Sequence, residues 1–189
     1  LLFENVIDKK MPLLINAFGS MKRMALALGV NNVEEIATEI EKLIRIKPPK
    51  SFKDKLSLLS ELIRLAGIPP KIVKEAACQE TISREPDLGI LPVLTSWPGD
   101  AGPFITLPMV FTKDPRTGTR NVGLYRMQVF DRRTTGMHWH LHKVGARHFL
   151  HQKERAGRLE LAVCLGGDPA MIYAATAPLP DQIDEILFT

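Results

Sequence analysis

All five histidines of the 189-residue chain, His138, His140, His142, His148 and His151, fall in one short stretch. Imidazole is the commonest side-chain metal ligand and titrates near neutral pH, so chemistry is sought there first. The run His138-Trp139-His140-Leu141-His142 alternates with period two. On a strand this places three imidazoles on one face, about 6.5 to 7 Å apart at ~3.3 Å rise per residue, so neighbouring pairs can share a metal or a phosphate. The plain alternative is a wet strand face. His148 and His151, beside Arg147, Lys153 and Arg155, read as surface residues of a helix.

The segment Asn121-Val122-Gly123-Leu124-Tyr125-Arg126 is a second constellation. Gly123 permits close approach of a ligand or another backbone, Tyr125 brings a stacking ring, and Arg126 brings a fork-shaped cation. An arginine facing an interior is costly unless an anion meets it, which points to phosphate or carboxylate binding. Asp181, Asp184 and Glu185 offer hard oxygens, but alone they read as a solvated first helical turn favoured by the helix dipole. Asp114 and Asp168 read as turn and cap residues. The chain has no P-loop, GxGxxG, GxSxG or CxxC, so kinase-like, dehydrogenase-like and serine hydrolase chemistries lack support.

These residues must be positioned by two kinds of structure. The first part reads as helical. Ser20 caps a helix over Met21 to Leu28 that Gly29 ends, and Asn32 caps a longer one carrying Val33, Ile36, Ala37, Ile40, Leu43 and Ile44, stopped by Pro48-Pro49. Ser51 opens a third helix ending near Gly67. From Cys78 to Pro103 the chain is Pro- and Gly-punctuated loop, including Ser96-Trp97-Pro98-Gly99-Asp100. Strands follow over Phe104 to Thr112, Asn121 to Phe130 and Met137 to His142, with Lys113 to Thr119 as a turn. Three successive antiparallel strands suggest a meander from a small barrel or sandwich. Val144 to Ala156 reads as a helix and Leu159 to Leu165 as a strand. Asp168 is then the N-cap, and Pro169 the first residue, of a further helix.

Composition sets the bounds. With 45% apolar and 24% charged residues the chain has the balance of a globular protein of about one domain. Its apolar runs are all shorter than the ~18 residues a membrane span requires. Two cysteines, Cys78 and Cys164, read as free thiols in a reducing, cytoplasmic compartment. The net charge of +4 is small, and the basic stretch Lys42, Arg45, Lys47, Lys50, Lys53 and Lys55 reads as a solvated surface rather than a nucleic-acid site. Peripheral membrane contact stays open. Residue 1 is Leu, and the chain stops soon after an acidic segment that reads as a helix start, so a piece of a longer protein is expected.

The block from Asn121 to Arg126, set in GPFITLPMVFTKDPRTGTRNVGLYRMQVFDRRTTGMHWHLHKVGARHF, closely resembles the UbiD family of decarboxylases, and the likeness continues through LAVCLGGDPAMIYAATAPLPDQIDE. It spans roughly residues 86 to 189 and is most similar to the branch of menaquinone-biosynthesis decarboxylases. The resemblance implies an α+β protein: a helical segment (1–77), a loop-rich linker (78–103) and a flavin-binding split β-barrel type domain (104–189) that is incomplete at its C-terminal end. It implies a reversible, non-oxidative decarboxylase of an aromatic or α,β-unsaturated acid, a quinone precursor, working with prenylated FMN and a divalent metal. Manganese is the usual metal, with potassium often nearby. The family's metal ligands match Asn121, His142 and Glu185, and its flavin-side catalytic arginine matches Arg126. Leu124, Tyr125, His138, Trp139, His140 and Lys143 fall where the family contacts the cofactor, several of them through backbone.

A flavin prenyltransferase as cofactor supplier and a homo-oligomeric full-length protein follow from the same resemblance. The family's ExxxxE carboxylates lie beyond the PxPD turn and beyond this chain, so the 189 residues alone are expected to be inactive. Two other readings stay open at this level: a zinc or iron site built on HxHxH, and a non-catalytic flavin- or partner-binding module.

Overall fold

A computed structural model describes residues 1–44, 72–155, 157–177 and 185–188. The chain opens with a small antiparallel hairpin, β1 (Leu2–Phe3) and β2 (Leu13–Leu14), where sequence reasoning had only helices. Ser20 does cap the first helix, α1 (Met21–Ala27), its Oγ accepting from the Arg23 amide at 3.3 Å. Gly29, at φ +68°, ends it in a Schellman arrangement: the Gly29 amide donates to Leu26 O and the Val30 amide to Ala25 O. Asn32 caps α2 (Val33–Ile44) through the Glu34 amide, as its position implies. The expected helix after Ser51 lies outside the described residues.

The functional half is built from two three-stranded antiparallel sheets. β3 (Phe104–Ile105), β6 (Met127–Val129) and β7 (Thr135–Met137) form one, in the order β3-β6-β7. β4 (Met109–Lys113), β5 (Arg120–Leu124) and β8 (Leu161–Cys164) form the other, with β4 central. Among the described residues the sheets do not close into a barrel. Helix α3 (Val144–Glu154) separates β7 from β8, and α4 (Pro169–Ala174) follows β8, capped by Asp168, whose Oδ1 accepts from the Ala170 amide at 2.8 Å. A short 3₁₀ turn over Glu185–Phe188 lies against the β5 side of the second sheet.

Two expected strands are each divided in two. The Phe104–Thr112 run breaks around Pro108, a fully buried residue with no amide to give a ladder. The Asn121–Phe130 run breaks at Tyr125-Arg126, because its two halves pair into different sheets. The third expected strand, over Met137 to His142, does not form: only Met137 belongs to a strand, as the last residue of β7. Its partner β6 starts at Met127, so the ladder ends there, apart from the His138 amide donating to Arg126 O at 3.0 Å.

Alternation along β4 packs the second sheet on both faces. Val110, fully buried, joins Ile105, Tyr125 and Met127 in one core, with Trp139, Met137 and Val163 against it. Met109 joins Val122 and Ala175 in the other, with Phe111, Leu124, Met171 and Ile186 around them. Residues 78–103 carry short 3₁₀ turns, Ala77–Gln79 and Leu88–Ile90, in otherwise irregular chain, and they are tied to the first sheet: the Leu88 amide donates to Arg132 O at 2.8 Å, and the Phe104 amide to Leu94 O at 2.9 Å.

Candidate functional site

Strand β5 carries the site. Asn121 and Glu185, far apart in sequence, are both buried and adjacent. Glu185 Oε2 accepts from the Val122 amide at 2.8 Å. The Asn121 amide, turned so that its nitrogen faces the carboxylate, donates to Oε1 at 3.0 Å. With the amide turned the other way, two oxygens face each other at that separation, an arrangement that is repulsive unless a cation lies against both. A carboxylate and an amide carbonyl are hard oxygen donors of the kind that suit manganese or magnesium, so the pair fits the divalent metal that the resemblance implies.

His142, the third expected ligand, is exposed in the turn before α3, and its ring stacks on His140 with centroids 5.6 Å apart. The structure joins Asn121 to Glu185 by hydrogen bond and sets His142 beside His140. The strand premise for HxHxH does not hold, because residues 138–143 are coil and turn, where alternation no longer puts the rings on one face. His138 instead packs edge-on to Phe104, with centroids 5.1 Å apart. Among the described residues no group of three or more His, Cys, Asp and Glu side chains could hold a metal, so a three-histidine cage is absent there.

Tyr125 is not an exposed stacking ring. It is buried in the first core, edge-on to Trp139 at 6.1 Å, with its hydroxyl accepting from the Gly145 amide at 3.3 Å. Gly123 serves that ring rather than a ligand, since a Cβ there would lie 2.5 Å from the Tyr125 hydroxyl oxygen. The Tyr125 ring is therefore committed to the core. Trp139 Nε1 is a buried donor without a hydrogen-bond partner among the described residues. Leu124 is half-buried in the second core, while Lys143 is exposed at the start of α3, its carbonyl accepting from the Arg147 amide at 3.1 Å.

Arg126 does meet an anion, and it is the protein's own. Its Nη2 donates to Asp100 Oδ2 at 2.6 Å, and its guanidinium lies 3.9 Å from the centre of the Phe104 ring. The Arg126 hydrogen bond holds the Asp100 carboxyl below the usual carboxylate range. Sequence reasoning placed Asp100 in a loop without a role. The Ser-Trp-Pro-Gly-Asp turn was visible, but nothing in it told which cation the carboxylate would reach.

The surface reading of His148 is overturned. It is buried beneath β4, and its Nδ1 shares a hydrogen bond with Thr112 Oγ1 at 2.9 Å. Burial pushes its pKa below the ordinary histidine range. The α3 register places it toward the sheet, one turn before His151, whose Nδ1 lies 3.2 Å from Asp114 Oδ1. Burial works against the Asp114 charge, but the Arg116 amide and His151 outweigh it and hold the carboxyl below its usual range. Asp114 is a turn residue as read, and the turn is strapped to α3 further by Arg116–Glu154 and by Arg155 donating to Pro115 O at 2.6 Å. Both cysteines are free thiols and exposed.

Comparison with known proteins agrees with this architecture. Residues 71–189 match the 3-octaprenyl-4-hydroxybenzoate carboxy-lyase Rift-related domain, and residues 1–44 match the N-terminal domain of the same carboxy-lyase. The chain belongs to the UbiD family. An uncharacterized protein of Archaeoglobus fulgidus is 47% identical over the whole chain, which spans 39% of that relative's length. The UbiD-class enzyme HmfF from Pelotomaculum thermopropionicum, solved in complex with FMN, is 27% identical with a TM-score of 0.75 over 99% of this chain and 38% of its own. An evolved dimeric form of that enzyme in complex with prFMN gives a TM-score of 0.72, again at 27% identity, covering 98% of this chain and 40% of its own. The vanillic acid decarboxylase of Sedimentibacter hydroxybenzoicus, in closed form, gives 0.78 at 27% identity, covering 99% and 38% of the two chains. Among the described residues no helix is long and apolar enough to cross a membrane.

Proposed function

We propose that this chain is the cofactor-binding part of a non-oxidative, reversible decarboxylase that acts on an aromatic or α,β-unsaturated acid, a precursor in quinone biosynthesis, with prenylated FMN and a divalent metal. The observation that carries the reading is the buried Asn121–Glu185 pair. Two groups distant in sequence, which by themselves look like a post-turn residue and a solvated helix start, are brought together at the end of the NxGxYR strand. Family membership and similarity to solved structures that hold FMN or prFMN support it.

In this reading Asn121, Glu185 and His142 would hold the divalent metal, manganese with potassium nearby, which would supply positive charge for the cofactor's phosphate. Leu124, Tyr125, His138, Trp139, His140 and Lys143 line the cofactor, Tyr125 by its backbone. The bound cofactor supplies the electron sink for the carbanion equivalent left when CO₂ departs. Arg126 presents its guanidinium to the carboxylate of the acid, holding the scissile group and stabilising its charge. The proton that replaces CO₂ requires a positioned acid. The family's ExxxxE carboxylates fill that role, so the full-length protein is the active species and assembles as a homo-oligomer in the cytoplasm.

The test uses full-length protein co-expressed with a flavin prenyltransferase. Flavin absorbance, metal content and CO₂ release from vanillic, 3,4-dihydroxybenzoic and cinnamic acids are measured. Bound manganese with a flavin signal and release of CO₂ from at least one acid is the expected result. Bound zinc without flavin sinks the reading.

A further inference from the structure

Arg126 leaves the gap between β5 and β6, and its carboxylate partner comes from a loop far upstream. Asp100 closes the Ser96–Asp100 turn: its own amide donates to Trp97 O at 3.0 Å, and its Oδ2 accepts from the Trp97 amide at 3.2 Å as well as from Arg126 Nη2 at 2.6 Å. The turn is anchored in its turn. Gln128 Nε2 donates to Ala101 O at 3.1 Å, and the Val129 amide donates to Pro103 O at 2.9 Å.

Asp100 is therefore held by backbone that the first sheet holds. Its side chain is 11% exposed, whereas that of Arg126 is 36% exposed. The carboxylate is the fixed member of the pair and the guanidinium the accessible one. A guanidinium has five N–H donors in a rigid fork. Asp100 takes one at Nη2, and Phe104 covers one face of the fork at 3.9 Å. The backbone of Arg126 is pinned as well, by the His138 amide. Among the described residues one edge and one face are committed, and the other donors stay available to a ligand.

We propose that Asp100 is a positioning residue, which fixes the Arg126 guanidinium by one edge so that its remaining donors are presented to the carboxylate of the acid substrate. What Arg126 does rests on the decarboxylase reading; how it is held does not. An aspartate is ionised through the neutral range in any case, and the Arg126 hydrogen bond lowers the Asp100 pKa further, so the anchor does not depend on pH there. An isolated arginine on a flexible stem would have to be ordered anew in each turnover, and misplacement of a contacting group is costly in rate.

The experiment compares wild-type full-length protein with Asp100→Asn and Asp100→Glu. The first readout is the rate at which phenylglyoxal modifies Arg126, followed by peptide mass spectrometry against the other arginines. Loss of a half-exposed ion pair is expected to speed modification of Arg126 by about threefold in Asp100→Asn, while the other arginines keep their rates. The second readout is turnover of whichever of the three acids the wild type decarboxylates. The expected change is a fall of about tenfold in kcat with KM moving less than about twofold, recovered in large part by Asp100→Glu.

An unchanged modification rate at Arg126 overturns the proposal, and so does faster modification with unchanged kcat. Faster modification at many arginines, together with a lowered melting temperature, assigns Asp100 only to the folding of its turn and also overturns it. If the wild type decarboxylates none of the acids and binds no flavin, the decarboxylase reading has failed, and the phenylglyoxal arm alone decides whether Asp100 holds Arg126.

Discussion

Replacing Glu185 with Ala removes the acceptor of the buried Asn121 side-chain amide at 3.0 Å and the nearer of two acceptors of the Val122 amide at 2.8 Å, which keeps the turned Asn121 oxygen at 3.2 Å. One donor left buried without a partner costs about 1–3 kcal/mol, and the Val122 amide retains an acceptor, so the expected loss is about 1–3 kcal/mol. Val122 and Asn121 are both nearly inaccessible to water, which cannot readily restore the bonds. Glu185→Gln behaves differently. Its carbonyl oxygen can still accept from Val122, and the Asn121 amide can turn to present its oxygen to the new NH₂, so the expected cost is about 1 kcal/mol. The assay is equilibrium urea unfolding of the metal-free full-length protein, with bound manganese measured separately after reconstitution. Both variants should lose the metal, because glutamine lacks the charge that a divalent cation requires, while only the alanine variant should lose substantial stability. Equal stability of the alanine variant and the wild type would refute the claim that Glu185 satisfies these donors. Retention of stoichiometric manganese by Glu185→Gln would remove Glu185 from the metal site.

Three further outcomes are expected. Arg126→Ala in the full-length protein should lower kcat/KM by about 10²–10³, the scale of losing one preorganised charge-stabilising donor, and unchanged turnover would remove Arg126 from the chemistry. His148, buried and held below its ordinary pKa, binds its proton more readily in the unfolded chain, so the stability it lends as a neutral group is present above about pH 6.5 and is lost as pH falls through that value toward the folded pKa. Urea unfolding between pH 7.5 and 5 should show that loss in the wild type and a flatter curve in His148→Gln. Gly123→Ala should destabilise by about 1–3 kcal/mol, because the new Cβ would lie 2.5 Å from the Tyr125 hydroxyl oxygen in a packed core; a melting temperature equal to wild type would show that the ring moves aside freely.

Local signals carried over where the physics is local. Ser20, Asn32 and Asp168 cap their helices because a cap needs only a side-chain oxygen and an amide two or three residues on. Asp114 sits in its turn for the same reason. The family motifs were equally legible, since ordered blocks such as NxGxYR survive without knowledge of the fold. What the chain by itself could not specify is anything set by a distant partner. Strand ends are decided by where the neighbouring ladder runs out, which is why the histidine run leaves the strand at Met137 and its three rings never share a face. Burial of His148 is decided by the packing of α3 against β4, which brings its ring to Thr112. The pairing of Asn121 with Glu185, and of Arg126 with Asp100, joins segments that only packing brings together. Sequence determined which side chains were available and which local turns they could make; tertiary structure decided which charges face each other, because desolvation and ion pairing act through space and not along the chain.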